Sequence, residues 1–324
     1  MEEILKLFPE SIEDKLRREI MNWNQLEEIR IRIGKPIELV FTAYSRMIGH
    51  LLPDKQDGLF ILNQLSEHSI YRFEDELREG YITIEGGHRV GISGKVNTER
   101  GYVKAIRHLT FFNIRIARQV KDISKPYLPL LYQKRYLNTL LIGPPKCGKT
   151  TFLRDIVRYM SNGYNHYPAK KVGVIDERSE IAACRNGIPQ HDVGLRTDVM
   201  DACPKAEGMM MMIRSMSPDV IAVDEIGSEE DVKALMEAVY AGVTVICSVH
   251  GQNLDEVRSR PSLQPLFRQN AFQRYVTFSN HPKPGTVISV TDENGQTQNH
   301  HVRSKDYEMD WSHVVPAGDN SNRL

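Results

Sequence analysis

A chain of 324 residues is long enough to bury two separate cores. Its 42 basic and 42 acidic residues cancel, which excludes a whole-molecule field that would gather nucleic acid or an anionic membrane. Hydrophobic residues at 40% and charged residues at 26% describe an ordinary globular protein, and no apolar run approaches the roughly 18 residues needed to span a bilayer.

The opening 20 residues mix acids and bases on an amphipathic pattern, with helices expected around Glu2–Phe8 and Ile12–Trp23 rather than a signal peptide. The run Glu28–Ile33 alternates isoleucine with arginine at period two, which predicts a strand with one apolar face, closed by Gly34-Lys35-Pro36. A second strand is expected at Ile37–Phe41 and a helix over Ser66–Glu79. Tyr81–Glu85 and Arg89–Val96 read as a hairpin around Gly86-Gly87, and Ile114–Arg118 repeats the arginine-outside alternation. Residues 1–120 are therefore read as a smaller α+β domain. Residues 121–137, with Pro126 and Pro129 and mixed charge, are read as a linker or entry helix.

From Asn138 strands and helices alternate, which implies an α/β domain over 138–302: a parallel sheet with helices on both faces. The apolar run Asn138–Ile142 leads into Gly143-Pro144-Pro145-Lys146-Cys147-Gly148-Lys149-Thr150, and an amphipathic helix begins at Thr151. This is a complete G-x-x-x-x-G-K-T phosphate loop in the strand–loop–helix context that gives the motif its meaning. The glycines let successive N–H groups turn toward phosphate oxygens at the positive end of a helix. Lys149 is expected on the β- and γ-phosphates of ATP, and Thr150 on Mg²⁺, with Thr151 next in the cradle.

Two further apolar strands end in acids. Val220–Val223 runs into Asp224 and Glu225; Asp224 is the candidate for Mg²⁺ and Glu225 for the base that polarises the attacking water. Val172–Ile175 runs into Asp176-Glu177-Arg178-Ser179-Glu180. Ligands bind outside the carboxyl ends of such strands, so Glu177 or Glu180 is a candidate to share the water-positioning or metal work. Arg178 is expected to pair with one of these acids or to reach a neighbouring subunit. Val243–Val249 is a third buried strand, ending in His250, which stands either as a γ-phosphate sensor or as a structural histidine. Arg185, Arg196 and Arg214 suit phosphate by their planar fork, but spacing alone does not choose among them. The four methionines Met209–Met212 are expected to pack one side of a core helix. Closing strands are expected over Tyr275–Val302 around Glu293-Asn294-Gly295, followed by a polar tail over 303–324. The four cysteines lack Cys-x-x-Cys spacing, which suits a reducing compartment.

From about Val172 to Gly251 the sequence resembles the secretion-type P-loop ATPases, the ring-forming motors of type II and type IV secretion and of pili. Their phosphate loop, acidic box, Walker B strand and histidine box correspond to Gly143–Thr150, Asp176–Glu180, Ala222–Gly227 and Thr244–His250. Within them, VGVIDERSEIAAC, PDVIAVDEIG, NQLEEIRIRIGKPIEL and FQRYVTFSNHPKPGTV resemble the ATPases of the sporulation channel between mother cell and forespore. Asp224-Glu225 stands where many secretion motors have Gly-Glu, and their tetracysteine zinc module is absent.

The resemblance implies a RecA-like P-loop fold, ATP and Mg²⁺ as cofactors, and a homo-oligomeric ring, a hexamer. It also implies a peripheral position at the cytoplasmic, mother-cell face of the membrane, with the channel's membrane subunits as partners and no direct nucleic acid. In that family the first domain covers the nucleotide with arginines, for which Arg89, Arg107, Arg115 and Arg118 are the candidates here. Two other readings compete: a nucleic-acid-stimulated ATPase, which needs basic tracks longer than Lys15–Arg18, and a nucleotide-gated structural ring with little turnover.

Overall fold

The computed structural model describes residues 1–66, 80–99, 102–298 and 315–316. The chain divides into two compact units, with Met1–Arg118 in one and Gln119–Val314 in the other.

The first unit is built on a six-stranded sheet of β1 (Leu26–Arg32), β2 (Ile37–Phe41), β3 (Ser45–Ile48), β4 (Tyr81–Thr83), β5 (Arg89–Glu99) and β6 (Tyr102–Arg115). Their order is β3-β2-β1-β6-β5-β4, with every described neighbour antiparallel. Period two decides the faces. Ile29 pairs with Ile114 and Ile31 with Phe112, all four buried, while Arg30 between them is exposed. Val90 and Ile92 of β5 continue that apolar face beside Ile114 and Phe112. Helices α1 (Glu2–Leu5), α2 (Glu10–Glu19) and α3 (Lys55–Leu65) supply Ile4, Leu5, Ile12, Leu16, Ile61 and Leu65 to the same core. The second helix stops earlier than its sequence suggests, because Asn22 accepts the N–H of Asn24 and starts a separate turn at Trp23. Gly86 and Gly87, with φ of 80° and 75°, turn the chain between β4 and β5 as their sequence implied. The helix expected over Ser66–Glu79 lies, from residue 67 on, outside the described residues.

The second unit is built on a seven-stranded sheet of β7 (Thr139–Gly143), β8 (Val172–Asp176), β9 (Thr197–Asp201), β10 (Val220–Val223), β11 (Thr244–His250), β12 (Arg274–Ser279) and β13 (Thr286–Thr291). They lie in the order β9-β8-β10-β11-β7-β12-β13, parallel except for the antiparallel edge strand β13. Successive side chains of each strand enter different cores. Leu141, Val172, Val174 and Ile246 pack with Phe152, Leu153 and Ile156 of α4 (Lys149–Asn162). Leu140, Ile142, Ile175 and Cys247 pack with α5 (Lys205–Met216) and α6 (Glu229–Tyr240). Both faces of the sheet are thus covered, which is why its strands read as unbroken apolar runs. Of the four methionines in α5, Met209 and Met212 are buried and Met211 is exposed, as one face of a helix requires. Met212 lies so close to Gly173 that a Cβ there would meet its Cγ at 2.5 Å. The hairpin β12–β13 turns at residues 280–285, whereas the expected turn at 293–295 follows β13, with Gly295 N–H donating to Asp292 C=O at 3.0 Å. Of the expected tail, only residues 315–316 are described.

Residues 121–137 are not a free linker. Tyr127, Leu128, Leu131 and Tyr136 belong to the core around Phe152, and Asp155 of α4 ties the segment down. Its carboxylate, 1% exposed, accepts the N–H of Asp122 at 3.0 Å and of Ser124 at 2.8 Å, the Ser124 hydroxyl at 2.6 Å, and Arg158 at 2.7 Å. Asp155→Ala leaves these donors without their acceptor and is expected to cost about 3–5 kcal/mol of unfolding free energy. Denaturant melts of the two proteins check this, and a loss under about 1 kcal/mol would contradict the anchoring role.

Candidate active site

The strand order builds the site. Strand β11 lies between the phosphate-loop strand β7 and the acidic strand β10, with Gly143 paired to His250 and Val223 to Cys247. The carboxyl ends of three strands therefore meet at the amino end of α4, where a parallel α/β sheet offers its ligand crevice.

The loop Gly143–Gly148 turns on two left-handed positions, Lys146 (φ 60°) and Gly148 (φ 94°). Lys149 is buried, with its ammonium donating to Gly143 C=O at 2.8 Å and Pro144 C=O at 2.9 Å, and lying 3.2 Å from His250 Nδ1. An ammonium only donates, so Nδ1 is the acceptor and Nε2 carries the ring proton. His250 Nε2 stands 2.9 Å from Glu225 Oε1, and Arg178 donates to Glu225 Oε2 at 2.8 Å. A continuous line of contacts thus runs from the loop lysine through His250 to the Glu225 carboxylate.

Thr150 Oγ1 donates to Asp224 Oδ2 at 2.5 Å. This hydroxyl and carboxylate converge on one point at the base of the loop. The pair suits Mg²⁺, which takes oxygen ligands, accepts one or two from protein, and keeps water and phosphate for the rest. Among the described residues no cluster of three or more histidine, cysteine or acidic side chains could hold a metal unaided.

The acidic box is placed differently from its sequence-level expectation. Asp176 is 2% exposed and accepts the backbone N–H groups of Glu180, Ile181 and Ala182 at 2.8, 2.9 and 2.8 Å. Burial pushes its carboxyl up to about 6. Arg154 of α4 donates to the carbonyls of Ile181 and Glu180 at 2.6 and 2.7 Å, and burial brings its guanidinium down to about 10. Asp176 and Arg154 therefore fold the turn after β8. Glu177 forms an ion pair with Lys205 at the start of α5. Glu180 contributes its backbone to that turn while its side chain is exposed. The contacts described for these two acids run to Lys205, Asp176 and Arg154 rather than to the Thr150–Asp224 pair. Arg178, by contrast, reaches Glu225.

Arg196 and Arg214 are exposed, and Arg185 sits in a turn closed by Ile188. In the first unit Arg118 donates to Leu26 C=O at 2.5 Å and so is tied to the start of β1. Arg89 lies over the Tyr81 ring at 4.8 Å, Arg115 is exposed, and the Arg107 side chain lies outside the described residues. Two neighbours of the candidate site escape a sequence reading: Arg154, hidden in a helix pattern, and Ser248, an apparently ordinary serine in an apolar strand.

The family model described as "Sporulation stage III, protein AA" matches residues 1–298. The chain is 51% identical over 297 residues to Stage III sporulation protein AA of Bacillus subtilis (strain 168), covering 91% of this chain and 96% of that protein. It is 26% identical over 271 residues to the uncharacterized protein ycf45 of Porphyra purpurea, covering 82% of this chain and 43% of that one. Among solved structures, the pilus retraction motor PilT with bound ADP aligns with a TM-score of 0.57 at 16% identity, covering 81% of this chain and 76% of that chain. The Legionella pneumophila ATPase DotB aligns with a TM-score of 0.56 at 15% identity, covering 83% and 76%. These likenesses give the fold of the secretion-type P-loop ATPases. No helix among the described residues is long and apolar enough to cross a membrane. By the family model and by identity along almost its whole length, the chain belongs to the Sporulation stage III, protein AA, family.

Proposed function

We propose that this protein hydrolyses ATP with Mg²⁺ and uses the cycle to energise a channel complex during sporulation. The observation that carries the reading is the hydrogen bond from Thr150 to Asp224 at the base of a complete phosphate loop, with Glu225 beside it. Lys149 moves its ammonium from the loop carbonyls onto phosphate oxygens, and the loop N–H groups hold the rest of the chain of phosphates. Bound Mg²⁺ supplies neutralising charge to the phosphate oxygens. Glu225 accepts a proton from the attacking water, a role that needs its carboxylate released from Arg178 or His250. His250 touches both Lys149 and Glu225, so it senses whether the lysine has left for phosphate.

The name of the Bacillus subtilis relative supports the sporulation setting, and the resemblance of the sequence motifs to the ring-forming secretion motors supports an assembly of six copies. Its partners are the membrane subunits of the channel, met at the cytoplasmic face of the mother-cell membrane.

Chelation tests the metal assignment. EDTA in excess is expected to lower turnover by at least about a hundredfold, with recovery on adding Mg²⁺. Turnover that continues at the starting rate would remove Thr150 and Asp224 from metal binding.

A further inference from the structure

Ser248 is wholly buried, 0% exposed, in the strand between the phosphate loop and the acidic strand. One step beyond the Val223–Cys247 pair of β10 and β11 it stands level with Asp224. Its hydroxyl donates to Asp224 Oδ1 and accepts the backbone N–H of Glu225 at 3.0 Å. Its carbonyl accepts the N–H of Ile226 at 2.9 Å. A serine hydroxyl has one proton and two lone pairs, so a single buried oxygen fixes two consecutive acids.

Both acids need that support. Asp224 has two carboxylate oxygens; Thr150 takes Oδ2, and without Ser248 the other loses its protein partner in a half-buried setting. Glu225 has φ of 56°, the left-handed region that costs a residue bearing a Cβ and persists only where its surroundings enforce it. The N–H that Ser248 accepts belongs to this residue. A carboxylate on a backbone freed to relax out of that conformation would leave the mouth of the loop.

We infer that Ser248 is a positioning residue for hydrolysis: its hydroxyl aims Asp224 at the metal position and holds the Glu225 backbone in its left-handed turn. This rests on the roles proposed for Asp224 and Glu225, and it adds a residue from a third strand that touches neither nucleotide nor metal. Outer partners of this kind change metal affinity or rate by 10- to 100-fold in general.

The test uses the full chain and four variants: Ser248→Ala, Ser248→Cys, Ser248→Thr and Glu225→Gln. A fluorescent ATP analogue is titrated in Mg²⁺ and in EDTA, steady-state turnover is measured, and thermal melts report folding. Alanine and cysteine are expected to keep the affinity measured in EDTA, to lose about tenfold of the gain that Mg²⁺ brings, and to lower turnover by about a hundredfold. Threonine keeps a hydroxyl and is expected to recover both. The inference is overturned if alanine and cysteine behave as wild type, or if threonine melts normally yet is as impaired as alanine. Cysteine fills nearly the volume of serine, so a folding defect confined to alanine leaves the test intact. If Glu225→Gln turns over at the parental rate, the base assignment fails and this inference with it. If Glu225→Gln is silent while the Ser248 variants keep their Mg²⁺ gain and their turnover, the strut alone is wrong. The binding arm reads Asp224 directly, whatever the rate of turnover.

Discussion

Replacing Lys149 by alanine is expected to weaken ATP binding by about two to three orders of magnitude. The side chain presents its ammonium at the mouth of the loop, 2.8 and 2.9 Å from two carbonyls that it can exchange for phosphate oxygens. Charge-assisted hydrogen bonds are worth about 1.5–3 kcal/mol each, and two of them account for the loss. The fold should survive. Buried Gly143 C=O still accepts the N–H of Gly251 at 3.3 Å, Pro144 is only half-buried, and the core beneath is carried by Phe152, Leu153 and Ile156. Equilibrium titration with a fluorescent ATP analogue measures the change. Binding within about threefold of wild type, set against a single charge-assisted bond's larger worth, would remove this loop from nucleotide recognition.

Glu225→Gln is expected to separate binding from chemistry. Glutamine has nearly the same shape and still accepts from Arg178, but it cannot take a proton from water. Affinity for ATP should stay within a few-fold of wild type. Turnover should fall by about 10²–10⁴, the range that a positioned general base supplies. The geometry adds a second reason to expect a clean result. Glu225 is held by its backbone N–H to Ser248, which the exchange leaves untouched; the glutamine oxygen keeps Arg178, while its amide nitrogen gives up the contact with the His250 Nε2–H. Phosphate release with binding recorded in parallel checks both halves. A variant that hydrolyses at the parental rate would move the base to another acid, and Glu180 after β8 would be the first to examine.

The residues of the candidate site were legible because each lies in a short local pattern. The phosphate loop needs only its glycines, lysine and threonine between a strand and a helix. Asp224 and His250 were visible as polar endings to apolar strands. Which of those endings meet is a matter of strand order, and that is long-range. The order β8-β10-β11-β7 inserts the His250 strand between loop and acids, which joins Lys149 to Glu225 through His250 and brings Ser248 under Asp224. No spacing in the chain announces this. The acidic box shows the converse. Its pattern of acids after a strand matched the Asp224 strand in form, yet Asp176 turned inward to cap three N–H groups, and Glu177 paired with Lys205.

The period-two strands of the first unit were equally plain, because Ile29 and Ile31 face a core while Arg30 between them is exposed. Residues 121–137 misled for a physical reason. Two prolines and scattered charge look like a linker, but Tyr127, Leu128 and Leu131 lie on a 3-10 turn and a single helical turn, Lys125–Tyr127 and Leu128–Leu131, too short for a period to stand out. Their anchor, Asp155, sits a further turn into the phosphate-loop helix, where its role depends on a segment distant in sequence.

The most direct test of the central claim is the initial rate of phosphate release from Mg·ATP by the purified full chain, measured beside Lys149→Ala. The account predicts release by the wild type that saturates with ATP, requires Mg²⁺ and disappears in the variant. A wild type that binds ATP yet releases no more phosphate than Lys149→Ala would contradict it, and would leave a nucleotide-gated ring in place of a motor.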